Sequence, residues 1–225
     1  MHLNLLVLLD KTYSYNLLSN HEYRRQQGLN LPNKLTFLRL LLIPFFVVLT
    51  VVPFNWGTVE WLNSEISIAL LAATIIFMIA SITDWLDGYI ARRDNLVTNF
   101  GKFADPLADK LLVSSALIIL IELGLAPAWV VVVIIARELA VTGLRLLLVE
   151  EGGTVLAAAW PGKVKTFTQL LAIIFLLVDD FPFAWLGFSI GKSLLYISLI
   201  FTIYSGADYF YNARHIFSDT LKSSN

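Results

Sequence analysis

Apolar stretches long enough to cross a bilayer recur along the whole of this 225-residue chain, and the charges inside them gather at one end of each stretch. A helical span takes roughly 20 mostly apolar residues. Six candidates stand out: about Leu35–Val52, Ile66–Arg92, Gly101–Leu123, Ala126–Leu148, Val164–Val178 and Lys192–Tyr211. Backbone polar groups in hydrocarbon must be satisfied within the segment, which favours helices. The expected fold is therefore an all-α integral membrane protein of six transmembrane helices. Composition agrees, because charged residues make up 15% of the chain, against about 25% in soluble domains. There is no cysteine, which excludes disulfides and thiolate-bound metal sites. Leu3–Leu9 is apolar but too short to span and lacks a basic lead-in, so it does not read as a signal peptide.

Lys and Arg fix the expected orientation. One set of flanks carries Arg24, Arg25 and Lys34, then Arg92, Arg93 and Lys102, then Lys163 and Lys165, then Arg214 and Lys222. The opposite loops, Pro53–Glu65, Glu122–Pro127 and Asp179–Gly191, contain neither Lys nor Arg. Both termini are expected on the cytoplasmic side of a plasma (inner) membrane, with Trp56, Trp61, Trp129 and Trp185 at the opposite interface. Residues 1–30 form an N-terminal juxtamembrane segment, residues 31–214 the six-helix domain, and residues 215–225 a cytoplasmic tail.

Four aspartates conflict with the surrounding hydrophobicity. They fall as Asp84-x-x-Asp87-Gly88-x-x-Ala91-Arg92, then eight residues, then Gly101-x-x-x-Asp105-x-x-x-Asp109. At about 100° per helical residue, Asp84, Asp87 and Gly88 share one face at the end of the second span. Gly101, Asp105 and Asp109 share a face at the start of the third. A short link makes the two spans an antiparallel hairpin, so both acidic faces point to similar depth. Pro106 suits a first helical turn or a kink. An acidic residue at mid-bilayer costs roughly 2.5–3.5 kcal/mol, so the cluster calls for a compensating partner. Oxygen ligands without His or Cys suit Mg²⁺, Mn²⁺ or Ca²⁺. Ion pairs with Arg92, Arg93, Lys102 and Lys110 at headgroup level are the structural alternative.

The spacing D-x-x-D-G-x-x-A-R-x8-G-x-x-x-D-x-x-x-D resembles the signature of the CDP-alcohol phosphotransferases. The resemblance implies a six-helix membrane bundle, a homodimer, and a Mg²⁺- or Mn²⁺-dependent reaction with one or two ions per site. In that reaction an alcohol displaces CMP from a CDP-linked lipid. Carried onto this chain, it implies that Asp84, Asp87 and Asp105 are metal ligands. Asp109 would be the general base and would touch a second metal. Gly88, Arg92 and Thr98, with Pro32 and Asn33 at the entry to the first span, would contact CDP-diacylglycerol.

The acceptor is read from the remaining cations. Arg137, Arg145, Lys163 and Lys165 lie at the cytoplasmic ends of the fourth and fifth spans. Positive-inside anchoring explains such residues singly, yet four cations beside a carboxylate site suggest a phosphorylated alcohol. The segments Leu31-Pro-Asn-Lys-Leu-Thr-x-x-Arg39, Ala136-Arg-Glu-Leu with Thr142-Gly-Leu-Arg145, and Pro161-Gly-Lys-Val-Lys-Thr166 resemble the branch of that family whose acceptor is sn-glycerol 3-phosphate. The implied product is phosphatidylglycerophosphate. Phosphatidylglycerol (giving cardiolipin) and serine are alternative acceptors, though neither brings a phosphate monoester. A divalent-cation transporter is the alternative of a different class, disfavoured because the acids lie near one face and no internal repeat is evident. No basic stripe with stacking aromatics suggests nucleic acid as a partner.

Overall fold

The computed structural model describes residues 31–61, 64–93, 99–150 and 160–214. The flanking segments 1–30 and 215–225 therefore lie outside the described residues. Six long helices follow in order: α1 Leu31–Val51, α2 Ile68–Arg93, α3 Asn99–Glu122, α4 Ala128–Glu150, α5 Trp160–Leu177 and α6 Ile190–Asn212. Each coincides with one expected span, and the ends differ by a few residues. Three of them contain windows long and apolar enough to cross a membrane: Asn33–Val51, Ile68–Ile90 and Ile190–Asn212. The other three carry more charge or are shorter, and they are the helices bearing Asp105, Asp109, Arg137, Arg145 and Lys165.

Two features differ from the expectation. The segment read as a plain loop folds into an antiparallel hairpin, β1 Thr58–Trp61 against β2 Ser64–Ser67, which the all-α expectation omitted. Thr58, Val59 and Trp61 favour extended backbone, and Thr58 donates to Glu65 across the ladder at 3.1 Å. Pro106 stands well inside α3, which begins at Asn99, so the first-turn alternative does not hold. The missing proline N–H leaves the Lys102 carbonyl without its usual partner in the helix ladder.

Each helix buries a stripe at helical spacing and exposes a greasy remainder. On α2 the buried side chains include Ala69, Ala73, Phe77 and Ala80, and on α3 Ala104, Ala108, Leu112 and Ala116. The opposite faces expose Ile75, Ile79, Ile82, Leu111 and Ile118. That reverses the usual pattern of a water-soluble helix and is the pattern of helices that face lipid. Trp56, Trp129 and Trp185 are exposed as well, as interfacial tryptophans would be.

The described residues fall into two compact units. One takes the start of α1 up to Leu42 together with Ile79–Lys110; the other takes Ile43–Met78 and the chain from Leu111 onward. Within the second, α5 packs closely on α6. A Cβ added to Gly191 would lie 2.7 Å from Leu176 Cγ and 2.9 Å from the Leu176 backbone nitrogen, so the contact requires glycine. The start of α6 is fixed by Ser189, which accepts from the Lys192 N–H at 3.0 Å, and by Asp180, which accepts from the Gly191 N–H at 2.6 Å. Both satisfy N–H groups that a helix start leaves without partners.

Candidate functional site

All four aspartates belong to the first compact unit. Asp84 and Asp87 extend the stripe of Ala73, Phe77 and Ala80 toward the end of α2, so helical periodicity turns them away from the exposed face. Asp105 and Asp109 each follow a buried alanine, Ala104 and Ala108, and are half-buried at the edge of the α3 stripe. Asp84 interacts electrostatically with Asp109 and Asp105, and Asp87 with Asp84 and Asp105. Both acidic helix ends lie within one unit, the one that also holds the start of α1.

Their hydrogen-bond partners come from α1. Asn33, Thr36 and Arg39 are spaced by three on that helix and all are buried. Thr36 donates to Asp105 Oδ1 at 2.5 Å. Arg39 donates from Nη1 to Asp84 Oδ1 and from Nη2 to Asp87 Oδ2, each at 2.5 Å. The cation that Asp84 and Asp87 meet is thus Arg39, which stands 45 residues before Asp84 and 48 before Asp87. Sequence reading assigned no role to Thr36 or Arg39. The signal was the i, i+3, i+6 recurrence of polar residues on an otherwise apolar helix.

The donor set is entirely oxygen, which fits a hard divalent cation such as Mg²⁺ or Mn²⁺. Among the described residues no three acidic or histidine side chains are gathered closely enough to hold a metal as they stand. Asp84 and Asp87 are turned onto Arg39, and Asp105 onto Thr36. The carboxylates fit such an ion by the chemistry of their oxygens, and Arg39 stands among them.

The cations of the second unit form a separate network. On α4, Arg137 stands one turn from both Ile134 and Val141, on the buried stripe, and Arg145 follows Val141 by four. Arg137 Nη2 donates to Ser205 of α6, and its Nη1 lies 3.8 Å from Glu138. Glu138 also accepts from Lys165 of α5, which is buried. Arg145 donates to the Tyr209 hydroxyl at 2.5 Å, and its guanidinium carbon lies 4.9 Å from that ring's centroid. Val141, Leu144, Leu148, Tyr209 and Ala213 form an apolar cluster beneath this contact. The Nε atoms of Arg137 and Arg145 are buried with no hydrogen-bond partner among the described residues, so each guanidinium retains donor capacity. Lys163 is exposed, because two residues along a helix turn it to the side opposite Lys165. Ser205, Tyr209 and Glu138 were not singled out from sequence as site residues. Ser205 and Tyr209 recur at i, i+4 on α6, within the stripe of Ser198, Thr202 and Gly206.

Gly206 abuts this network. A Cβ there would lie 3.0 Å from Arg137 Cγ and 3.3 Å from its Nε. Gly206→Ala is expected to push the arginine aside and, on the reading of Arg137 as a phosphate contact, to weaken anion binding by about tenfold, well short of abolishing it. Titration of the purified protein with a phosphorylated acceptor measures this directly.

The other expected contacts are placed as follows. Asn33 is buried on the α1 face that bears Thr36 and Arg39, and Gly88 is half-buried beside Asp87. Pro32 and Arg92 lie in α1 and α2, but their side chains, like the whole of Thr98, lie outside the described residues.

Residues 29–204 match the family model described as CDP-alcohol phosphatidyltransferase. The CDP-diacylglycerol–glycerol-3-phosphate 3-phosphatidyltransferase of Bacillus subtilis (strain 168) is 54% identical over 181 residues, covering 80% of this chain and 93% of that protein. The similarly named proteins of Sodalis glossinidius (strain morsitans) and Salmonella paratyphi A are 38% and 39% identical, over 83% and 82% of this chain and 96% and 95% of their own lengths.

Proposed function

The chain belongs to the CDP-alcohol phosphatidyltransferase family, and from that membership we propose that it transfers the phosphatidyl group of CDP-diacylglycerol to sn-glycerol 3-phosphate. The products are phosphatidylglycerophosphate and CMP, so the protein is a transferase of phospholipid biosynthesis. The observation that carries this reading is the 54% identity, over 80% of the chain, to a protein named for that reaction.

The roles follow from the chemistry of the side chains. Asp109 accepts the proton of the attacking hydroxyl. The oxygen thus exposed bonds to the phosphatidyl phosphorus, the bond from that phosphorus to the CMP oxygen breaks, and CMP departs with the electron pair. Asp84, Asp87, Asp105 and Asp109 are the residues that would hold Mg²⁺ or Mn²⁺, one or two ions. A cation held there would supply charge neutralisation of the pyrophosphate and stabilisation of the leaving group. Thr36 keeps the Asp105 carboxylate in a fixed orientation. Pro32, Asn33, Gly88, Arg92 and Thr98 contact CDP-diacylglycerol. Arg137, Arg145 and Lys165 bind the phosphate of the acceptor, whereas Lys163, grouped with them in the sequence, is exposed on the other side of α5 and takes no part. Charge-assisted hydrogen bonds from arginine are suited to that task.

The protein crosses the plasma membrane six times as a homodimer, with both termini and the active site on the cytoplasmic side. The one-sided distribution of Lys and Arg and the apolar outward faces of the helices support this topology. The test is CMP release by the purified protein from CDP-diacylglycerol with Mg²⁺ and a panel of acceptors. Glycerol 3-phosphate is expected to support turnover; phosphatidylglycerol and serine are not. Turnover with serine or phosphatidylglycerol alone would overturn the acceptor assignment. Metal flux into liposomes without nucleotide would point to transport instead.

A further inference from the structure

Arg39 is a wholly buried charge on a helix whose exposed side chains beyond Lys34 are mostly apolar. It forks between two carboxylates of α2, one Nη to each at 2.5 Å. Asp87 is buried with it at 3% side-chain exposure, whereas Asp84 keeps 37% of its side chain accessible. The third nitrogen, Nε, has no hydrogen-bond partner among the described residues. The guanidinium is thus held by the same two carboxylates that the proposed reaction needs as metal ligands.

Two aspartates one helical turn apart repel, and a planar guanidinium that takes one oxygen from each cancels that repulsion and fixes their spacing. A divalent cation entering the same group of carboxylates meets a resident positive charge and must share or displace it. At such separations, in partly buried surroundings, charge–charge interactions are strong enough to change cation affinity by about tenfold. We propose that Arg39 is a positioning residue that acts as a resident counter-cation. It holds Asp84 and Asp87 in place before the divalent cation arrives, and it weakens the site's grip on that cation by competing for their oxygens. The inference rests on the metal role proposed above for these aspartates.

The signs follow from charge. Removing the guanidinium leaves buried carboxylates uncompensated in metal-free protein, which is destabilising. It also removes the competitor, so metal binding tightens. The test uses the full chain in detergent. Mn²⁺ affinity is read by electron paramagnetic resonance of the free ion, and Tm is read in EDTA and in saturating Mg²⁺. Arg39→Gln is expected to bind Mn²⁺ about tenfold tighter than wild type, with a lower Tm in EDTA and a larger rise on adding Mg²⁺. Arg39→Lys keeps the charge but loses the fork. Its Tm rise should exceed that of wild type and fall short of that of Arg39→Gln.

An arginine with a purely structural role would lower Tm equally with and without metal and leave the Mn²⁺ affinity unchanged or weaker. That result overturns the proposal. If Arg39→Gln does not fold in either condition, Arg39→Lys decides alone, and a Tm rise no greater than that of wild type overturns it. Wild-type protein that binds no Mn²⁺ would instead overturn the metal reading beneath it, a failure visible before any variant is compared.

Discussion

Asp109→Asn is expected to reduce CMP release by a factor of about 10²–10⁴, the usual worth of a positioned general base, while leaving the fold intact. Asparagine has the shape of aspartate but cannot accept the hydroxyl proton. Asp109 is half-buried on α3, one turn after Asp105, and Asp84 feels its charge. Neutralising it therefore relieves like-charge repulsion in the cluster. The variant should melt no lower than wild type in metal-free buffer, and the loss should lie mainly in kcat. Turnover within a few-fold of wild type would remove Asp109 from the role of base.

Arg137→Gln is expected to raise the KM for glycerol 3-phosphate by about 10²-fold, as truncating one partner of a buried charge contact costs several kcal/mol. Arg137 sits on the buried stripe of α4 with a spare Nε and is held by Ser205 and Glu138. The substitution does not strand a carboxylate, because Glu138 keeps Lys165. The effect should therefore appear in acceptor binding, with little change in Tm. Initial rates across a glycerol 3-phosphate titration, at saturating CDP-diacylglycerol, separate KM from kcat. An unchanged KM with a lower Tm would make Arg137 a structural cation only.

The helices were legible because two independent signals agree. Apolar runs recur along the chain and charges punctuate their ends, so α1 to α6 fall where hydropathy places them. The hairpin of Thr58–Ser67 was not legible, since its alternation is brief and Pro53 and Gly57 read as loop punctuation. The clustering of the aspartates was legible because i, i+3 and i, i+4 spacing dictates a shared face on each helix. Their partners were not. Periodicity says which face Arg39 occupies, but only packing reveals that this face meets Asp84 and Asp87. The same limit applies to Ser205 and Tyr209, whose roles depend on which residues of α4 they meet. Lys163 and Lys165 were grouped by charge in the sequence, yet residues two apart on a helix face opposite sides, so α5 buries Lys165 and exposes Lys163.

The account depends on α2 and α3 supplying ligands to the same cation. Equilibrium Mn²⁺ binding to wild type, Asp87→Asn, Asp105→Asn and the double variant tests that directly. Each single substitution is expected to weaken binding by about tenfold or more, and the double variant to lose less than the sum, as coupled ligands do. Full Mn²⁺ affinity in Asp105→Asn, with loss confined to Asp87→Asn, would show that the two helix ends do not share an ion and would contradict the account.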